Sequence, residues 1–123
     1  MSTAPVPTGT NLALLVGTLR RPPELRALPG GDAVLALELA VHPEGAPTET
    51  VPVAWYGPSD EAVGWSVGEE VLVAGRTRQR FFRSGGATQS RTEVVASRIV
   101  PTRRRAAADK ALAAALDSLP ARL

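Results

Sequence analysis

The chain has 123 residues, no cysteine, a single histidine and a formal net charge of +2. That length suits one domain with a modest core. The missing thiols exclude a disulfide scaffold and a thiolate metal site, and one imidazole leaves little for metal or triad chemistry. The net charge conceals a segregation. Residues 1–70 carry three arginines against nine acids, a net of −6, whereas residues 71–105 carry nine arginines against Glu93 alone, a net of +8. A surface of one sign built by the second half points to an anionic partner. The preference for arginine also fits a GC-rich genome and carries no weight by itself.

Residues 1–10 are rich in Ser, Thr and Pro and read as a flexible arm, without the basic flank and apolar run of a signal peptide. No window approaches the roughly 20 apolar residues that cross a bilayer, so a cytoplasmic, nucleoid-associated protein is expected. Leu12 to Leu19 reads as a strand whose interior Gly17 marks a bulge or a close backbone approach. Pro22 and Pro23 break it, and Leu28-Pro29-Gly30-Gly31-Asp32 is a tight turn signal. Residues 33–41 alternate, with Leu35, Leu37, Leu39 and Val41 on a face that belongs in a core. His42 falls in the following loop and is expected to be exposed. Val51, Val53 and Trp55 then alternate with Pro52, Ala54 and Tyr56, which predicts Trp55 inside and Tyr56 outside.

Ser59 is expected to cap a short helix through Glu61, Ala62 and Val63, with Trp65 packed beneath as a core plug and Gly68 ending it. The adjacent acids Asp60-Glu61 and Glu69-Glu70 read as solubilising charge. Residues 70–83 form the most informative stretch. An apolar run over Val71 to Ala74 leads into arginine at every second position, Arg76, Arg78 and Arg80. The strand period of two sends these and Phe82 from one face, and Thr77, Gln79 and Phe81 from the other. Three guanidinium groups spanning roughly 13 Å suit successive phosphates of a nucleic-acid chain, and a neighbouring aromatic offers a platform for a base. The same row also describes an edge strand blunted by charge, and both readings stand on the strand alone. Ser84-Gly85-Gly86 signals a hairpin, and residues 91–100 supply the last strand, stopped by Pro101.

Five short strands with a short helix between the third and fourth predict an all-β protein, a five-stranded Greek-key barrel of the OB-fold type. The expected domains are an arm over 1–10, the barrel over 11–101, and a basic linker with an Ala-rich helical tail over 102–123. In the tail, Leu112, Leu116 and Leu119 stand at helical spacing. Packing against the barrel, pairing with a second copy and a free helix all remain open.

The order of motifs resembles the bacterial single-stranded DNA-binding protein family over residues 11–100, and the chain looks like a short paralogue of it. Asn11-Leu-Ala-Leu-Leu-Val-Gly17-Thr-Leu is similar to the family's first strand. Pro23-Glu24-Leu25-Arg26 with Pro29-Gly30-Gly31 is similar to the turn after it. Residues 34–41 correspond to the second strand, Val53-Ala-Trp-Tyr56-Gly57 to the third, Val71-Leu-Val-Ala-Gly75-Arg-Thr-Arg to the fourth and Thr92-Glu93-Val94-Val95-Ala96 to the fifth.

The resemblance implies sequence-independent binding and protection of single-stranded DNA in replication, recombination or repair, without catalysis. Bases would stack on Tyr56 and Phe82, and phosphates would lie on Arg76, Arg78 and Arg80. Arg20, Arg26, Arg83 and Arg91 complete the expected nucleic-acid-binding set. It also implies a homo-oligomer, a tetramer or else a dimer, with no cofactor, no metal and no membrane. Two departures accompany the match. Val41, Pro43 and Thr50 lie near positions where the family often has tryptophans, which shifts the expected binding towards electrostatics and stronger salt dependence. The chain ends in Leu119-Pro-Ala-Arg-Leu123 without an acidic cluster, so recruitment of repair enzymes through an acidic tail is not expected. These departures keep a second function open, an OB-fold assembly subunit with weak DNA affinity that pairs with another single-stranded DNA-binding or primosomal protein. No nucleophile and base at a recognisable spacing, phosphate loop or carboxylate cluster points to an enzyme.

Overall fold

The alternating runs fold into a closed barrel, here seen in a computed structural model that describes residues 9–121. Residues 1–8 of the expected arm lie outside the described residues. The strands are β1 (Ala13–Leu19), β2 (Glu24–Ala27), β3 (Ala33–Val41), β4 (Glu49–Tyr56), β5 (Glu70–Ser84) and β6 (Ala87–Pro101). A 3-10 helix, Asp60–Gly64, lies between β4 and β5, and α1 (Arg105–Asp117) follows β6. The sheet runs β1-β5-β6-β4-β3, and a short β1–β3 pairing, Thr18 with Ala40 and Leu19 with Leu39, closes the ring. All neighbours are antiparallel except β4 and β6, which run parallel. This is the predicted OB-type barrel with a C-terminal helix.

A sixth strand, β2, pairs with the free edge of β3 from Glu24 opposite Ala36 to Ala27 opposite Ala33. The prolines were expected only to break the chain here. All four β2 residues are exposed, so no buried alternation announces the strand, and backbone pairing holds it.

The core follows the pattern of β3 and β4. Leu35, Leu37, Leu39, Val53 and Trp55 are buried together with Val71, Val73, Val94 and Ile99. Trp65 plugs the barrel end, as expected, and stacks on Trp55 with ring centroids 6.2 Å apart and planes 19° from parallel. Ser59 makes no side-chain cap to the 3-10 helix, contrary to expectation. Nor does Gly68 end it. Gly68 sits at φ +89° in a later turn and donates its N–H to the Leu19 carbonyl at 2.8 Å. Five residues leave too few turns for either cap to matter.

Two glycines let backbones approach. A Cβ on Gly17 would stand 2.7 Å from the carbonyl oxygen of Ala40, where β1 crosses β3. A Cβ on Gly75 would meet the carbonyl oxygen of Val95 at 2.1 Å. Gly75 also marks a bulge. Ala74 pairs with Arg98 but Gly75 pairs with Ala96, which leaves Ser97 unpaired with its hydroxyl donating to the Ala74 carbonyl at 3.0 Å. Beyond it the β5–β6 hairpin continues out to a two-residue Gly85-Gly86 turn with φ +60° and +82°, the left-handed backbone that a tight hairpin turn demands.

Helix α1 packs on the outer side of this hairpin, against Leu72 and Val100. Of the three possibilities the helix takes the barrel, but the residues that touch are Ala107, Ala108 and Ala111 and not the leucine row, and Leu112 and Leu116 remain exposed. Small side chains let the helix lie close to the sheet, and that tilts the leucines aside. The acids read as solubilising charge anchor this helix. Arg103 pairs with Glu69 at 2.9 Å, and Arg104 pairs with Glu61 at 2.5 Å. No helix among the described residues is long and apolar enough to cross a membrane.

Candidate nucleic-acid interface

The outward faces of β3 and β4 carry small or apolar residues where solvent-facing strands usually carry charge. Val34, Ala36, Pro52 and Ala54 form a smooth floor, and Tyr56 rises at its end, 45% exposed. β2 walls one side and the β5–β6 hairpin the other, enclosing an open groove of about 740 Å³. Its rim holds Arg21, Arg26, Arg78, Arg80 and Arg91, with Glu24, Glu38 and Glu93 among them.

Most of these guanidinium groups have carboxylate partners. Arg26 donates to Glu24 at 3.2 Å, and that bond lowers the carboxyl pKa from its ordinary value and raises that of the guanidinium. Arg21 lies 2.7 Å from Glu38, and Arg91 lies 3.7 Å from another oxygen of the same carboxylate. Arg78 is held most firmly. Its Nε donates to Glu93 Oε1 at 3.1 Å, a terminal nitrogen binds the same oxygen, and that nitrogen also donates to the Tyr56 hydroxyl at 3.0 Å. The hydrogen bond to Glu93, followed by that to Tyr56, raises the Arg78 pKa. Among the described residues Arg80 has no carboxylate within ion-pair distance.

The structure therefore brings together Arg26, Tyr56, Arg78, Arg80 and Arg91 of the sequence-predicted set. Arg76 opens instead onto a second cleft of about 550 Å³, between Asn11, the bulge at Ser97 and the end of α1 at Ser118. Arg20 lies outside the groove and donates to the Thr50 hydroxyl. Phe82 and Arg83 are exposed on the outer hairpin beyond the groove lining, whereas Phe81, from the other face of β5, lines it and is 66% exposed. Both faces of β5 reach the groove here, since Arg78 and Arg80 line it together with Gln79 and Phe81. His42 is exposed, as expected, and shares a 2.7 Å hydrogen bond with Thr48. Val41 packs partly against the core, so it offers no platform.

Sequence reasoning missed Arg21, Glu38, Phe81 and Glu93. For Glu93 a signal was present. Counting back from the two-residue Gly85-Gly86 turn, with Ser84 opposite Ala87, places Glu93 opposite Arg78. No other acid lies in the strongly basic segment of residues 71–105.

Chemically, the groove offers a ring, an apolar floor and a rim of guanidinium groups. Among the described residues no cluster of His, Asp or Glu is placed to hold a metal ion. Such a surface suits flat apolar rings joined by anions, and residues 10–102 match the model of the single-strand binding protein family.

Proposed function

The chain belongs to the single-strand binding protein family, and from that premise we propose that it coats single-stranded DNA through the groove between β2 and the β5–β6 hairpin. The observation that carries this reading is Tyr56, half exposed at the end of an apolar floor rimmed by arginines. A base stacks on the Tyr56 ring, and Phe81 or Phe82 offers a second platform on the hairpin. Phosphates lie on Arg80 first, because it needs no exchange of partner. Arg26 and Arg91 join by trading a carboxylate for a phosphate, and Arg76 takes the strand where it leaves the groove. Arg20 and Arg83 extend the same basic surface. Each stacked base is worth about 1–3 kcal/mol, so Tyr56→Ala should weaken binding of a fluorescent oligo-dT between roughly five- and 150-fold. An unchanged affinity would remove Tyr56 from the interface.

The same reading assigns the protein to DNA replication, recombination or repair, as a non-catalytic homo-oligomer, with a tetramer favoured over a dimer. Large apolar side chains left exposed at Val16 and Leu116 support association. Sedimentation equilibrium of the full chain tests it. A monomer at micromolar concentration would contradict it.

A further inference from the structure

Arg78 stands in the middle of the basic row, yet its surroundings differ from those of Arg76 and Arg80. Directly opposite it on β6 is Glu93, only 6% exposed and the one buried charged residue among those described. The Arg78 guanidinium binds that carboxylate through two nitrogens, and one of them also donates to the Tyr56 hydroxyl at 3.0 Å. Its Cζ lies 5.5 Å from the centroid of the Tyr56 ring, within reach of a cation–π contact. Three strands thus converge on one ring, with Glu93 on β6, Arg78 on β5 and Tyr56 on β4.

We infer that Arg78 is a positioning residue, a clamp that Glu93 anchors and that fixes the Tyr56 ring for stacking, and not a ligand for phosphate. The inference rests on the reading of Tyr56 as a stacking platform. Two physical arguments support it. The Glu93 carboxylate cancels most of the field that Arg78 would present to a phosphate, and moving the guanidinium away would strand a buried charge. A half-exposed tyrosine without such a clamp would also lose side-chain freedom on stacking, and holding the ring beforehand removes that cost from binding.

The test compares affinity for fluorescent oligo-dT across a salt series. Arg78→Met should weaken binding roughly three- to tenfold with an unchanged salt slope, a fraction of the loss of a whole platform. In a Tyr56→Ala background the same substitution should change affinity by less than about twofold, because the clamp then has nothing to hold. Tyr56 is the only tyrosine in the chain, so the tyrosine ring signals in NMR report on it alone. Without DNA, Arg78→Met should turn a single fixed-ring pattern into a motionally averaged one. The pair Arg78→Met/Glu93→Gln removes the stranded charge, and it should reproduce Arg78→Met in binding and in the ring spectrum.

A slope flattened by about 0.7, the share of one phosphate contact on a single strand, would overturn the inference. So would equal losses in the two backgrounds, or a ring spectrum that Arg78→Met leaves fixed. Failure of the unaltered protein to bind oligo-dT would instead strike the proposed function, and the DNA-free ring spectrum would still decide whether the clamp exists.

Discussion

Glu38 on β3 reaches past β4 towards Arg91 on β6, carboxylate to guanidinium at 3.7 Å, while its other oxygen holds Arg21 at 2.7 Å. A carboxylate in that place competes with phosphate for both arginines. Glu38→Gln keeps the shape and removes the competitor. We expect the variant to bind oligo-dT more tightly at low salt, by a few-fold, and to show a steeper salt slope, since two freed guanidinium groups can each release counterions from the DNA. Polarisation titrations at several salt concentrations check this, and weaker binding would show that Glu38 itself serves the ligand.

The arginine row has a corresponding signature. By sequence, Arg76, Arg78 and Arg80 are equivalent, and removing all three would lower the slope by about two units. In the structure Arg78 is neutralised by Glu93, and among the described residues Arg76 and Arg80 have no carboxylate within ion-pair distance. The double variant Arg76→Ala/Arg80→Ala should therefore lower the slope by about 1.4, as much as the triple variant.

Gly75 governs stability more than binding. Its Cα passes so close to the Val95 backbone that a methyl would overlap the carbonyl oxygen at 2.1 Å. Neither partner can move far, because the bulge at Ser97 and the parallel pairing of Val95 with Ala54 fix that stretch. Gly75→Ala should destabilise the barrel by about 2 kcal/mol or more, read as a lower urea midpoint. Gly64→Ala, at a site with open space, should cost far less.

How much of this was legible in the residues depends on what carries each feature. Burial carried β3 and β4, so the alternation of Leu35, Leu37 and Leu39 could be read directly, as could Trp55 inside and Tyr56 outside. Backbone pairing alone carried β2, whose exposed Glu24-Leu25-Arg26-Ala27 has no buried period to read. The C-terminal helix hid its contact face because the closest packing used Ala107, Ala108 and Ala111 in place of the larger leucines. At the site, a shared strand face placed Arg78 and Arg80 together. The role of Glu38 depended on Arg91 two strands away, which the sequence does not place, whereas Glu93 could be set opposite Arg78 by counting back from the Gly85-Gly86 turn. Phe81 lines the groove and Phe82 does not, because both faces of β5 border the groove as far as Arg80 and Phe81, which period two along one strand does not reveal.

Helix α1 should respond to acid. The hydrogen bond from Arg104, and a smaller one from Trp65, hold the Glu61 carboxyl below its ordinary value. The pair therefore favours the docked helix at any pH above the ordinary glutamate value of about 4.3, and the contribution is lost as pH falls through the lowered value in the folded state. Tryptophan fluorescence, which reports Trp65 beside Glu61 at 3.4 Å, should change only below about pH 4. Glu61→Gln should remove that step, and an unchanged acid transition in the variant would assign it elsewhere.

The most direct measurement is a titration of the protein with fluorescent oligo-dT across a salt series, with a duplex of equal length alongside. Binding that strongly prefers the single strand, weakens as salt rises and falls further with Tyr56→Ala is the predicted result. Equal affinity for the duplex, or no binding even at low salt, would contradict the account of the groove.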